Sequence, residues 1–185
     1  MKFVIEHLED EVWEWCLLEY KHISEIVGKE NLIFTNVPED EAKKLEKLGK
    51  VNTESILKLN LNKCCLLDMN AEKEIITKDK ERFDYFVFGG ILGDNPPRGR
   101  TKVLNKLNCE VRNLGKEQMS TDTAVLVTHM ILNGKKLQDI EFKDEIELEI
   151  KEGESVILPY RYIIKDGKPV LPKGLFEMLK HQEGL

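Results

Sequence analysis

The residues that decide the fold run from Phe83 to Asp94 and read FDYFVFGGILGD. The first half, Phe83 to Phe88, is apolar and aromatic, which is typical of a buried strand, and it leads directly into Gly89 and Gly90. With Gly93, three glycines within five residues let the backbone approach a ligand closely and adopt positive φ. The stretch therefore predicts a central strand that ends in a shaped loop.

Strand and helix patterns alternate on both sides of this stretch. Short apolar runs predict further strands at residues 3–5, 31–35, 64–68 and 109–113, and extended segments at 145–150 and 160–164. Amphipathic spacing and capping residues predict helices at residues 9–27, 38–49, 53–59, 100–106, 124–132 and 171–180. The alternation predicts a three-layer α/β fold with a mostly parallel sheet. We expect one domain over residues 1–185, with a small C-terminal extension from about residue 141.

Composition narrows the classes of function. The chain has 185 residues, with 34 acidic and 28 basic side chains, a net charge of −6 and 41% hydrophobic residues. This describes a globular, acidic protein without the basic stripe that a bulk RNA binder needs. The sequence contains no run of about 18 apolar residues, and charged residues flank the short apolar run near its start. We therefore expect a cytoplasmic protein without a membrane span.

The four cysteines show no pattern of a metal site. Cys16, Cys64, Cys65 and Cys109 form no C-x-x-C pair and have no histidine at ligand spacing. In a cytoplasmic chain, such a set predicts neither a bound metal nor a structural disulfide. The histidines likewise have no nucleophile at a spacing that would indicate a catalytic triad.

Two further segments follow predicted strands at the same edge of the sheet. They are Leu67-Asp68-Met69 and the run from Leu114 to Thr123, which contains Gly115 and a helix start. Ligands of open α/β sheets bind at the carboxyl ends of the strands. The glycine-rich run matches neither G-x-G-x-x-G nor a P-loop. From pattern alone, a tight turn and an ordinary helix cap remain alternatives to ligand binding.

The two longest of these segments resemble a known family. Residues 83–98, FDYFVFGGILGDNPPR, and residues 114–124, LGKEQMSTDTA, are similar to the SPOUT-class methyltransferases often described as SAM-dependent RNA methyltransferases. The eukaryotic members of that family are protein-arginine methyltransferases that act on a small-subunit ribosomal protein. The resemblance extends from Ile5-Glu6-His7 through Trp15 and Glu19 to Arg161. After the third strand, Met69-Asn70 replaces the expected Pro-Arg, so the role of that arginine has no counterpart here.

The resemblance implies a fold and a cofactor that composition does not indicate. SPOUT enzymes tie their C-terminal part into a deep trefoil knot, a rare chain topology, and bind S-adenosylmethionine (SAM) within the knot loops. Backbone amides and carbonyls of those loops would contact the adenine, and apolar side chains would flank it. The cofactor-binding residues implied are Leu67, Asp68, Met69, Gly89, Gly90, Ile91, Leu92, Gly93, Leu114, Gly115, Met119, Thr121 and Thr123.

Methylation of an arginine requires a carboxylate. A guanidinium titrates above about 12, so an acceptor nitrogen needs a group that orients it and takes its proton. Asp94 is the first choice because it follows the glycine loop, and Asp122 is the second. Glu6 and Glu19 are weaker candidates, and Arg98 and Arg100 are candidates for binding an acidic part of a partner or an RNA phosphate.

The sequence leaves the acceptor open. The leading hypothesis is methylation of an arginine in a basic ribosomal protein, which suits an acidic enzyme. Methylation of rRNA or tRNA is the alternative, and a SAM-binding or ribosome-assembly module without turnover is a third hypothesis from another class. Monomer and homodimer both remain open.

Overall fold

The computed structural model describes residues 1–92 and 99–181, and within them the main sheet has six parallel strands. These are β1 (Lys2–His7), β2 (Leu32–Thr35), β3 (Lys50–Val51), β4 (Cys64–Leu67), β5 (Tyr85–Gly90) and β6 (Glu110–Arg112). Their order is β3-β2-β1-β5-β4-β6, so the β1 and β5 strands are central. The expected α/β class with a mostly parallel sheet is confirmed, and the strand from the glycine-rich stretch lies at its middle.

Five α-helices occur in the described residues. They are α1 (Glu14–Val27), α2 (Ala42–Leu45), α3 (Asp79–Arg82), α4 (Thr121–Leu132) and α5 (Leu175–His181). Four 3-10 segments accompany them, at Lys29–Asn31, Ile56–Lys58, Arg100–Lys106 and Leu137–Asp139. Within the described residues, no helix is long and apolar enough to cross a membrane.

Several predicted helices are shorter than the sequence pattern indicates. Helix α1 begins at Glu14 rather than residue 9, because Glu9 and the amide of Val12 are engaged in contacts with other parts of the chain. The helix predicted from Pro38 to Gly49 is a single turn, and the segments at 53–59 and 100–106 contain 3-10 rather than α-helix. Ser55 caps the first of these by accepting a hydrogen bond from the Leu57 amide.

The central strands place alternate side chains on opposite faces of the sheet. One face carries Phe3, Ile5, Cys65, Phe86 and Phe88, packed with helices α1 and α4. The other face carries Val4, Cys64, Leu66 and Val87, packed with Ile56 and Leu104 of the 3-10 segments. Three layers result, and the pairing of α1 with α4 brings the N-terminal and C-terminal halves of the chain together.

A second, antiparallel sheet follows the parallel one. It contains β7 (Phe142–Lys151), β8 (Glu154–Lys165) and β9 (Lys168–Pro169). The β7–β8 hairpin and α5 enclose a separate small core that includes Ile146, Leu158, Tyr162 and Leu179. A single domain with an extension from about residue 141 stays a prediction.

The expectation that the cysteines form no disulfide is wrong. Cys64 and Cys109 are bonded, with Cα atoms 5.0 Å apart, while Cys16 and Cys65 are free and buried. Strand β4 pairs with β6 so that Cys65 lies opposite Glu110, which brings the preceding residues, Cys64 and Cys109, side by side. Forty-five residues separate them in sequence, so only strand pairing brings the two thiols within bonding distance.

Candidate cofactor site

Three loops converge on one cavity at the carboxyl ends of β4, β5 and β6. We call them the first loop (67–70), the glycine loop (89–92 and 99 among the described residues) and the third loop (114–121). The cavity has a volume of about 740 Å³, within the range of small-molecule sites. It is lined by Leu67, Asp68, Met69, Asn70, Phe88, Gly89, Ile91, Gly99, Arg100, Thr101, Lys102, Asn105, Leu114, Gly115, Glu117, Gln118, Met119, Ser120, Thr121 and Ala124.

Most of the cofactor-binding residues expected from the sequence line this cavity. Those that do are Leu67, Asp68, Met69, Gly89, Ile91, Leu114, Gly115, Met119 and Thr121. Gly90, Leu92 and Thr123 do not line the cavity. They lie against Tyr20, Glu9 and Ser120, respectively. Gly93, Asp94 and Arg98 lie outside the described residues.

The last two residues of β5, Gly89 and Gly90, allow close packing at the base of the glycine loop. A Cβ on Gly89 would lie 2.4 Å from Thr101 Cγ2, and one on Gly90 would lie 2.6 Å from the Tyr20 hydroxyl. The Tyr20 hydroxyl is itself hydrogen-bonded to His7 Nδ1 at 2.8 Å. Only glycine fits between the sheet and these neighbours, so the loop can begin directly at the end of the strand.

Glu9 links both described ends of the glycine loop. Its Oε1 accepts a hydrogen bond from the Leu92 amide at 2.7 Å, and its Oε2 pairs with Arg100 Nη1 at 2.8 Å. The side chain of Glu9 is 13% exposed and that of Arg100 is 32% exposed. Charge-assisted hydrogen bonds of this kind are about twice as strong as neutral ones. Sequence reasoning treated Glu9 as the start of a helix and missed this role.

The first loop is closed by its own side chains. Asp68 Oδ1 accepts hydrogen bonds from the Asn70 amide at 2.8 Å and from Asn70 Nδ2 at 3.0 Å. The Asp68 amide donates to the Arg112 carbonyl, which ties the loop to β6. Asn70, at the position where the resemblance led us to expect arginine, supports an Asx turn in the cavity wall.

The third loop enters helix α4 through a cluster of hydroxyl groups. Ser120 is the residue before the helix, and its Oγ donates to Asp122 Oδ1 at 2.7 Å and contacts Thr123 Oγ1 at 2.9 Å. Thr121 Oγ1 donates toward the Gly89 and Ile91 carbonyls at 3.3 and 3.4 Å. The third loop and the glycine loop are therefore connected directly.

Asp122 does not line the cavity. The residue is 1% exposed, and its Oδ2 is 2.7 Å from His22 Nδ1 of helix α1. On the same helix, Glu19 is buried and accepts a hydrogen bond from Trp15 Nε1 at 3.0 Å. Burial, and secondarily the Asp122 charge, raise the pKa of Glu19 well above its ordinary value. Asp122 and Glu19 thus form part of the α1–α4 interface, contrary to the catalytic role considered for Asp122.

Glu6 is also structural. It is 1% exposed and accepts hydrogen bonds from Thr35 Oγ1, Ser55 Oγ and the Ile56 amide. These contacts join β1 and β2 to the 3-10 segment under the sheet. A buried carboxylate needs several donors of this kind, and these three account for the burial of Glu6.

The charged residues of the cavity include some that sequence reasoning did not select. Glu117 and Asp68 are its described carboxylates, and Arg100 and Lys102 are its described cations. Residues 99–105 contribute because the 3-10 segment returns over the glycine loop, a contact for which the sequence carries no signal. Among the described residues, no group of three or more His, Cys, Asp or Glu side chains is arranged to hold a metal ion.

A larger groove adjoins this cavity. Its volume is about 1170 Å³, and it shares Met69, Asn70 and Gly115 with the cavity. The Arg112–Asp79 ion pair, 3.2 Å between Nε and Oδ2, lies in its wall. The smaller cavity is the better cofactor site despite its size, because all three strand-end loops meet there and the groove lacks the glycine loop.

The parallel sheet, with its strand-end loops meeting at one cavity, has the fold of the SPOUT class of methyltransferases. The fold is shared with Trm10 from Thermococcus kodakaraensis, which is 16% identical and superimposes with a TM-score of 0.56, covering 75% of this chain and 96% of that chain. Over residues 2–184, the chain matches the SFM1-like protein arginine N-methyltransferases, and it belongs to that family.

Individual relatives agree over nearly the whole chain. Protein arginine N-methyltransferase SFM1 of Saccharomyces cerevisiae is 41% identical over 201 aligned residues, covering 97% of this chain and 94% of the relative. The crystal structure of yeast SFM1 complexed with SAM superimposes with a TM-score of 0.89 at 40% identity, covering 97% of this chain and 89% of that chain. The family resemblance expected from the sequence is confirmed, and the chain is a methyltransferase.

Proposed function

We propose that this protein transfers the methyl group of SAM to an arginine side chain of a basic small-subunit ribosomal protein. The observation that carries the proposal is the convergence of three loops on one cavity of about 740 Å³. Family membership supports arginine as the acceptor, since the relative with 41% identity is a protein arginine N-methyltransferase. Solved structures of yeast SFM1 contain SAM or its product SAH.

The residues of the cavity fit this cofactor. Leu67, Leu114 and Met119 offer apolar surface for an adenine ring, and the loop backbones offer hydrogen-bond donors and acceptors. SAM supplies an activated methyl group, which a nucleophile removes by in-line displacement. The protein's contribution is to align the acceptor nitrogen and to exclude competing geometries.

The acceptor must lose a proton as its nitrogen is methylated, so a carboxylate near the methyl group is needed. We assign this role to Asp94, which directly follows Gly93 and lies outside the described residues. We prefer Asp94 to Asp122 because Asp122 is 1% exposed and its carboxylate already contacts His22 of helix α1. Arg98 remains proposed as a contact to an acidic group of the acceptor.

Charge favours a basic protein over RNA. The net charge is −6, and residues 141–154 alone carry seven acidic and two basic side chains. Phosphate backbones require neutralising cations, whereas a basic protein is attracted to this surface. The protein therefore meets its acceptor through long-range attraction, and the rate of encounter falls as salt is added.

Incubation of tritiated SAM with cell extract tests the acceptor. We expect label in a small-subunit ribosomal protein that resists nuclease and yields methylarginine on hydrolysis. Asp94→Asn should bind SAH with nearly unchanged affinity and lose turnover by about 100-fold or more, as expected for a missing general base. Asp139→Asn, an exposed aspartate on a distant 3-10 segment, is the matched control and should be fully active. Nuclease-sensitive label would reject the protein acceptor, and full activity of Asp94→Asn would reject its role.

A further inference from the structure

We infer that Arg161, in strand β8 of the C-terminal hairpin, is a positioning residue that holds the third loop in its cofactor-binding conformation. The inference rests on the proposed SAM site. It assigns the hairpin a part in cofactor binding, although neither Arg161 nor any other residue of β7 or β8 lines the cavity.

Backbone contacts bring β8 against the third loop. The Arg161 amide donates a hydrogen bond to the Gln118 carbonyl at 2.8 Å, and Met119 forms an isolated parallel bridge with Arg161. Gln118 and Met119 both line the cavity. The hairpin therefore pairs, at one point, with the outer side of the segment whose inner side faces the cofactor site.

The Arg161 side chain is fixed from the hairpin side. Its guanidinium makes two hydrogen bonds to Asp144 of β7, Nε to Oδ1 at 2.5 Å and Nη2 to Oδ2 at 2.9 Å. It also lies over the ring of Phe142, 5.3 Å from the ring centroid. A bidentate pair with a ring beneath it defines the orientation of the guanidinium closely.

The same guanidinium faces the third loop. A Cβ built on Gly115 would lie 3.9 Å from Arg161 Nη1, so a side chain added at this position would meet the guanidinium at van der Waals distance. The hydrogen bonds to Asp144, and the charge of Glu117 to a smaller extent, raise the pKa of Arg161. Glu117 lines the cavity, so the cation attracts a side chain of the loop.

Arg161 adds to other contacts of the third loop, in which Asn113 Oδ1 accepts from the Gly115 amide and Thr121 reaches the Gly89 carbonyl. Gly115 has φ +92°, a conformation in which glycine is favoured, and residues 115–119 precede the first turn of α4. A loop that is ordered before binding avoids the entropic cost of ordering upon binding. Loss of the guanidinium should therefore weaken cofactor binding and leave the chemical step unchanged once the cofactor is bound.

Calorimetric titration of the full-length protein with SAH tests the inference. We expect Arg161→Ala to raise Kd for SAH about fivefold to tenfold, with kcat at saturating SAM within about twofold of wild type. Arg161→Lys keeps the charge near Glu117 but loses the bidentate pair, so it should restore part of the affinity. Asp144→Asn should act in the same direction more weakly, because Asp144 is 59% exposed.

A second ion pair of the hairpin provides the matched control. Lys151 and Glu154 are 4.0 Å apart at the turn between β7 and β8, and Glu154→Gln should leave Kd and kcat unchanged. Amide exchange without ligand should accelerate at residues 115–119 in Arg161→Ala while α4 remains protected. Wild-type Kd in Arg161→Ala, or a loss of kcat at unchanged Kd, would overturn the positioning role. Failure of the wild-type protein to bind SAH would instead overturn the proposed function.

Discussion

Glu9 offers the sharpest test of how the site is assembled. The carboxylate holds the Leu92 amide at 2.7 Å and Arg100 at 2.8 Å, one on each described end of the glycine loop. Replacement by alanine removes both contacts. The ends of the loop then have to be ordered when the cofactor binds, and this cost reduces the affinity for SAM.

The magnitude follows from these two contacts. The hydrogen bond from the Leu92 amide to this charged group contributes about 1.5 kcal/mol, and the partly exposed pair with Arg100 adds about 0.5 kcal/mol. A loss of about 2 kcal/mol corresponds to about a 30-fold increase in Kd for SAM. Glu9→Gln retains an acceptor for the Leu92 amide and loses the charge, so its Kd should lie between wild type and Glu9→Ala.

The assay is calorimetric titration with SAH together with thermal unfolding of the same samples without ligand. Glu41 is a matched control, since it too is 13% exposed and accepts from one backbone amide, that of Val12, and one cation, Lys44. Glu41→Ala should lower the unfolding temperature comparably and leave Kd unchanged. A wild-type Kd for SAH in Glu9→Ala, or an equal loss of SAH affinity in Glu41→Ala, would refute the reasoning.

Two further predictions concern stability. Burial and the Asp122 charge raise the pKa of Glu19, so the folded chain binds a proton that the unfolded chain releases. The free energy of unfolding is therefore greatest below the ordinary glutamate pKa. It falls as pH rises, by up to about 1.4 kcal/mol per pH unit. Glu19→Gln should flatten this slope in urea unfolding between about pH 5 and pH 8, and identical slopes would contradict the assignment. The Cys64–Cys109 disulfide closes a 45-residue loop, so Cys109→Ser should lower the free energy of unfolding by about 4 kcal/mol. Dithiothreitol should destabilise the wild type and not the variant, and an equal response in both would contradict a disulfide contribution.

The strands and the loops of the site were predictable because their signals are local. Residues 85–88 are apolar on both faces of the strand, as expected at the centre of a parallel sheet with helices on both sides. Gly89 and Gly115 mark a close approach and a positive φ, which few other residues tolerate. The boundaries of short elements were less predictable, because tertiary contacts replace helical hydrogen bonds, as at Val12.

The functional assignment of polar residues was less predictable. Asp122 follows the capping residue of a helix that begins at the cavity, and the sequence gives no sign of which side of the helix it occupies. Helix α4 packs against α1, which places the carboxylate beside His22 and away from the cavity. Glu9 and Arg161 belong to segments that resembled an ordinary helix start and an ordinary strand.

The sequence by itself determined the parallel α/β fold, the family and the three loops of the site, because hydrophobic periodicity and glycine placement act over a few neighbouring residues. Only the tertiary structure decided which charged groups support those loops. Glu9 accepts a hydrogen bond from the Leu92 amide, 83 positions away in sequence, and Arg161, in the second sheet, donates one to the Gln118 carbonyl. Such contacts depend on the order in which strands pair and helices pack, and that order is a property of the whole chain.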